Sequence, residues 1–122
     1  MSWVTKTLSS SIGKKVLMSL TGIFLCTFLI VHMVGNLQVF KSDGGFAFNK
    51  YAVLMTTNPL IKTVSYGLYA MILFHAFWGL YLEIQNRKAR PQRYAYVKNS
   101  SSWASRNMAV LGTILLVYIA VH

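Results

Sequence analysis

Residues 16–40, VLMSLTGIFLCTFLIVHMVGNLQVF, decide the fold class of this chain. The stretch contains no Asp, Glu, Lys or Arg, and its only ionisable side chains are Cys26 and His32. Its twenty-five residues exceed the ~18 apolar residues that mark a transmembrane helix. A secretory signal peptide is the main competitor, but this apolar centre is too long and no small-residue cleavage site follows it. We therefore predict a first membrane span at about residues 16–40.

Two further apolar segments follow the first one. Residues 63–82 carry only His75 and tyrosines as ionisable groups, which predicts a second span at about 63–83. Residues 107–122 also lack charged side chains, but at ~1.5 Å per residue they reach only about 24 Å, less than the ~30 Å of a bilayer core. The sequence predicts one all-α membrane domain: a transmembrane helix bundle with two complete spans and the start of a third. We expect the chain to be a truncated part of a longer subunit.

The basic residues are distributed unevenly around these spans. The formal net charge is +10, and 55% of the residues are hydrophobic. Nine cations lie in the N-terminal stretch and in the 84–106 loop, whereas three lie in the 41–62 connection. The first group comprises Lys6, Lys14, Lys15, Arg87, Lys88, Arg90, Arg93, Lys98 and Arg106. Because basic residues accumulate on the cytoplasmic side, we predict a cytoplasmic N-terminus and basic loop, an outer connection, and no nucleic-acid partner.

Local signals subdivide the predicted outer connection. Ser42 to Gly45, SDGG, predicts a turn, and the Asn58-Pro59 pair predicts a break before the second span. Residues 46–57, between these two signals, are consistent with a short helix at the outer surface.

The chain has three histidines, and each lies in a different apolar segment: His32, His75 and His122. A single intramembrane histidine is most simply a group that forms a hydrogen bond with a neighbouring helix. Ionisable side chains within a bilayer are nevertheless costly and usually mark a functional site. All three histidines lie in apolar segments and none lies in a loop, which favours a functional role.

The positions of the histidines along the spans predict their depths. His32 lies fifteen or sixteen residues from the inner start of the first span, and His122 lies fifteen residues after Asn107. His75 lies eight residues before Glu83, at the inner end of the second span. We therefore expect His32 and His122 at matching height in the outer half of the membrane, and His75 in the inner half.

Two imidazoles that face each other across a helix bundle are suitable axial ligands for haem iron. Gly35 follows His32 by three residues and Gly79 follows His75 by four, so each glycine shares the helix face of its histidine. Helix–helix packing would account equally for these glycines. Zinc is less suitable because no acidic or thiolate side chain lies at a comparable depth, and a proton relay would usually include Asp or Glu.

Three motifs carry a family resemblance over essentially the whole chain. They are SSSIGKKVLMSLTG at 9–22, QNRKARPQRYAY at 85–96 and SWASRNMAVLG at 102–112. With the intramembrane histidines, they resemble the di-haem cytochrome b membrane-anchor subunit of bacterial succinate dehydrogenases and fumarate reductases. The resemblance implies five membrane helices, about twice this length, and four histidines that hold two b haems. It implies that His32 and His122 ligate the outer haem, and that His75 ligates the inner haem with a partner on a fourth span that is missing from this chain.

The resemblance also implies a function, cofactors and partners. The chain would have no catalytic residue of its own. It would anchor a flavoprotein and an iron–sulfur protein at the cytoplasmic face of the bacterial inner membrane, and carry electrons to quinone, with menaquinone the expected type. Asp43 is the only acidic residue of the outer connection, whereas fumarate-reducing relatives have a carboxylate near the outer quinone site. We therefore expect succinate oxidation. The rival is a haem-free membrane structural or transport component in which the histidines only form interhelical hydrogen bonds.

Overall fold

The computed structural model describes residues 2–92, 95 and 101–122. These residues form helices and no strands, which confirms the all-α prediction. The elements are α1 (Trp3–Ser9), α2 (Ser11–Asn36), a 3-10 turn (Leu37–Phe40), α3 (Phe46–Thr57), α4 (Pro59–Ala89), α5 (Trp103–Arg106) and α6 (Met108–Val121). The chain divides into two compact units, Met1–His75 and Ala76–His122, with the boundary inside α4. Arg93 and Lys98 of the predicted basic loop lie outside the described residues.

A serine cap sets the start of α2. The Ser10 Oγ atom accepts a hydrogen bond from the Gly13 amide at 3.0 Å, which satisfies one of the amides that lack a partner within the helix. Gly13 is buried, and a Cβ atom at this position would collide with the Thr7 carbonyl oxygen of α1. Glycine therefore allows α1 to turn directly into α2, which begins five residues before the predicted span.

The expected SDGG turn lies between the 3-10 turn and α3. Gly44 and Gly45 have φ angles of +66° and +84°, in the left-handed region that glycine occupies at little steric cost. The Asp43 carboxylate accepts hydrogen bonds from the amides of Gly45 at 3.1 Å and Ala47 at 2.9 Å. The helix expected over 46–57 is confirmed as α3.

Asn58 and Pro59 define the start of α4. The Asn58 Oδ1 atom accepts hydrogen bonds from the amides of Leu60 at 2.9 Å and Ile61 at 3.3 Å. Proline is well suited to the first helical position because that position needs no amide donor. The helix then continues for 31 residues, past the predicted span and into its charged end, where the Arg87 Nε atom lies 2.6 Å from the Glu83 Oε1 atom.

The described residues bury no hydrophobic side chain within this chain. The buried positions of α2 are Gly13, Thr21 and Gly35, and the other described helices have none. Two segments, Ser11–Phe40 and Pro59–Ala89, are long and apolar enough to cross a membrane, whereas α6 is shorter. Helices that are apolar around their whole circumference are stable when lipid or other helices cover them, so these two segments indicate membrane association.

Candidate functional site

The structure places His32 and His75 on two long helices and His122 directly after a shorter third helix. His32 lies in the last third of α2 and His75 lies near the middle of α4, both in the first unit. His122 follows α6 in the second unit, and its amide donates to the Tyr118 carbonyl oxygen at 2.8 Å. Each candidate residue is thus carried by a helix whose backbone hydrogen bonds are satisfied locally, as a membrane environment demands.

His75 forms the closest polar contact between α2 and α4 that the structure describes. Its Nδ1 atom lies 2.8 Å from the Thr21 Oγ1 atom, 54 positions away in the chain. Thr21 is only 5% exposed and is the buried polar residue of the described chain. The contact occupies Nδ1 and leaves Nε2 as the ring nitrogen that can bind a metal, so His75 fits an axial haem ligand.

A glycine beside Thr21 brings α2 close to the His75 ring. A Cβ atom at Gly22 would lie 3.3 Å from the His75 Cε1 atom, closer than an ordinary van der Waals contact. Small residues at helix interfaces allow such close approach. The sequence had singled out Gly79, on the helix of His75 itself, whereas the described contact comes from Gly22 on the neighbouring helix.

The Thr21 contact also gives the level of His75 relative to His32. His32 lies eleven residues after Thr21 on the same helix, which corresponds to about 16 Å at ~1.5 Å per residue. Two axial nitrogens of one haem iron lie only about 4 Å apart, given iron–nitrogen bonds near the ~2.0–2.1 Å typical of metal–imidazole bonds. His32 and His75 are therefore too far apart along the helix axis to bind one and the same metal ion.

Local contacts surround His32 on α2. The Phe28 ring centroid lies 5.4 Å from the His32 ring centroid. The Asn36 side-chain amide donates to the His32 backbone carbonyl oxygen at 2.7 Å.

The space beside Gly35 differs from the interpretation that the sequence suggested. The sequence places Gly35 on the face of His32, where it could make room for a porphyrin. In the structure the Tyr51 side chain from α3 occupies that space, and a Cβ atom at Gly35 would collide with the Tyr51 hydroxyl. Gly35 therefore serves the packing of α3 on the end of α2.

His122 is stacked on an aromatic ring of its own helix. The ring centroids of Tyr118 and His122 are 5.4 Å apart, with an angle of 23° between the planes. Because His122 belongs to the second unit, its pairing with His32 stays a prediction.

Among the residues that the structure describes, no group of three or more His, Cys, Asp or Glu side chains could hold a metal ion. A haem site does not require such a group, because the porphyrin supplies the equatorial nitrogens and the protein supplies the axial ligands.

The chain was also compared with known proteins. It matches no protein-family model, no curated protein sequence and no solved structure.

Proposed function

We propose that this chain is the membrane-anchor cytochrome b subunit of a bacterial succinate:quinone oxidoreductase. The observation that carries the proposal is the presence of one histidine on each of three apolar helices, with His75 held by Thr21 about 16 Å along α2 from His32. A chain that binds two haems requires histidines at two separate positions along the helix axes. The sequence motifs described above supply the remaining support.

In this proposal the three histidines have distinct roles. His32 and His122 would hold the outer haem, and His75 would be one ligand of the inner haem. The second ligand of the inner haem is an imidazole that these 122 residues do not supply. Bound b haem supplies an iron atom that is reduced and oxidised by one electron. Two histidine ligands leave that iron no open position, which suits electron transfer and not oxygen chemistry.

The proposed partners follow from the same assignment. The flavoprotein and iron–sulfur subunits bind at the cytoplasmic face, where the basic residues of the N-terminal stretch and the 84–106 loop lie. Electrons leave the chain to quinone, with menaquinone as the expected type. The Asp43 carboxylate is engaged with the amides that precede and begin α3, which supports a structural role for the one acid of the outer connection. We therefore retain succinate oxidation as the direction.

A haem measurement tests the cytochrome assignment. We expect membranes that contain the chain to show a reduced-minus-oxidised b-type spectrum with bis-histidine character, and extracted haem near one per chain from the His32–His122 pair. Because the complete subunit would hold two haems, the same measurement is repeated on the full-length gene. Absence of haem from that longer form would show the cytochrome assignment to be wrong.

The second candidate function is the haem-free membrane component. The Thr21–His75 hydrogen bond favours it to some extent, because such a component would use its histidines for contacts of this kind. The haem count separates the two candidates, since a structural or transport component binds none.

Cysteine labelling tests the proposed orientation in the bacterial inner membrane. Cys26 lies in α2 and is the only cysteine, so a Cys26→Ser background allows single cysteines to be introduced at the exposed positions Ser42 and Gln92. We expect a membrane-impermeant maleimide to label Ser42→Cys from the outer side, and Gln92→Cys only after the membrane is opened. The reverse pattern would contradict a cytoplasmic N-terminus.

A further inference from the structure

The Thr21 hydroxyl group lies within hydrogen-bonding distance of two acceptors on its own helix. The Thr21 Oγ1 atom lies 3.0 Å from the Leu17 carbonyl oxygen and 2.9 Å from the Met18 carbonyl oxygen, and both of these atoms are acceptors. A hydroxyl group has one hydrogen to donate and two lone pairs to accept with. With that hydrogen used within α2, the Oγ1 atom is left as an acceptor toward His75.

This direction of donation determines where the His75 ring carries its hydrogen. The Nδ1 atom lies 2.8 Å from Thr21 Oγ1, and it is the donor in that hydrogen bond when the Thr21 hydrogen is donated within α2. A neutral imidazole has a single N–H group, so a hydrogen on Nδ1 leaves the lone pair on Nε2. Because Thr21 is buried, water does not compete readily for this hydrogen bond.

We propose that Thr21 is a positioning residue that holds His75 in the Nδ1–H tautomer and presents the Nε2 lone pair to the inner haem iron. The presentation of Nε2 to the haem iron rests on the proposed cytochrome function. The Nδ1–H tautomer itself does not depend on haem. Gly22 also allows this contact, because the absence of a side chain at Gly22 leaves room for the Cε1 atom of His75 beside α2.

An acceptor at Nδ1 also affects the iron that Nε2 would bind. When the Nδ1–H group of an imidazole donates a hydrogen bond, the Nε2 atom becomes more basic. A more basic ligand favours ferric over ferrous iron. Loss of the Thr21 hydroxyl therefore raises the reduction potential of the inner haem. The outer haem, whose proposed ligand His32 lies about 16 Å from Thr21 along α2, keeps its potential.

Three variants isolate the role of the hydroxyl. Thr21→Val removes the hydroxyl with little change in shape, and Thr21→Ser retains it. Thr27→Val is the matched control, because Thr27 also donates to its own helix, to the Ile23 carbonyl oxygen at 3.0 Å, but is exposed and lies about 9 Å further along α2 than Thr21.

The first measurement is the tautomer in the haem-free chain. We expect nitrogen NMR of the ¹⁵N-histidine-labelled chain in lipid nanodiscs to show His75 with its hydrogen on Nδ1. The same tautomer is expected in Thr21→Ser and Thr27→Val. In Thr21→Val the Nε2–H form should appear, as a mixture or as the main species. An unchanged His75 tautomer in Thr21→Val would overturn the inference.

The second measurement is a potentiometric titration of the holoprotein from the full-length gene. We expect Thr21→Val to raise the ferrous-to-ferric ratio of the inner haem three- to tenfold at a fixed potential, where tenfold corresponds to ~59 mV. If the wild type binds haem and the Thr21→Val potential equals that of Thr27→Val, the proposed tuning is wrong. If the wild type binds no haem, the proposed function fails instead, and the NMR result still decides the tautomer.

Discussion

If the chain is the proposed cytochrome, we expect His75→Ala to remove the inner haem and leave the outer haem in place, and His32→Ala or His122→Ala to do the opposite. Each substitution deletes one axial nitrogen of one iron, and a b haem held by a single histidine is bound far more weakly. We therefore expect each variant of the full-length subunit to retain about half of the wild-type haem. The physical reason for this selectivity is that His75 contacts α2 at Thr21, eleven residues before His32 on that helix.

The test is a haem count combined with a redox titration that resolves the two haems by their potentials. The three alanine variants serve as controls for one another, because each should lose one haem and keep the other. His75→Ala also loses the hydrogen bond to Thr21, so Thr21→Val shows how much of its effect comes from that contact alone. Equal loss of both haems in every variant would refute the assignment of histidines to haems.

Replacing Gly35 with alanine destabilises the packing of α3 on the end of α2. The added Cβ atom collides with the Tyr51 hydroxyl and approaches the ring carbon Cε1 to 3.0 Å, so the rigid tyrosine ring must move. Overpacking of this kind costs about 1–3 kcal/mol. We expect a lower midpoint of thermal unfolding in detergent, and faster proteolytic cleavage at the turn that precedes α3.

Two comparisons show whether Tyr51 causes the effect of Gly35→Ala. Gly67 on α4 and Gly112 on α6 are matched controls, because a Cβ atom at either position has no neighbour within 4 Å. Alanine there should be neutral or stabilising, since alanine is the better helix former by about 1 kcal/mol. In the double-mutant cycle, Gly35→Ala should cost much less when Tyr51 is already alanine. Additive effects of the two substitutions would show that the steric conflict is absent.

The helices themselves were largely predictable from local sequence. The breaks at Ser42–Gly45 and Asn58-Pro59 lie where the structure has them, and the short helix between them was expected. The helix α1 was missed, because its seven residues lack the long apolar run that revealed α2 and α4. The start of α2 was also misplaced. The predicted start, at residue 16, follows Lys15, whereas the Ser10 cap begins α2 at Ser11.

The histidines as candidate ligands could likewise be read from the sequence, because an ionisable residue in an apolar segment is visible without a structure. The contacts that these histidines make could not be predicted from the sequence. No local signal marks Thr21 as a contact of His75, and the space beside Gly35, which a porphyrin could have used, is filled by Tyr51.

The sequence by itself determined the all-α class, two helices capable of crossing a membrane, and the turn and break between them. These features depend on hydrogen bonds and apolar surface within a few residues of one another, so local residue types suffice. Only the tertiary structure decided that Thr21 holds His75 and that Tyr51 fills the space at Gly35. The first contact joins residues 54 positions apart, and which faces of two uniformly apolar helices meet is set by packing between them.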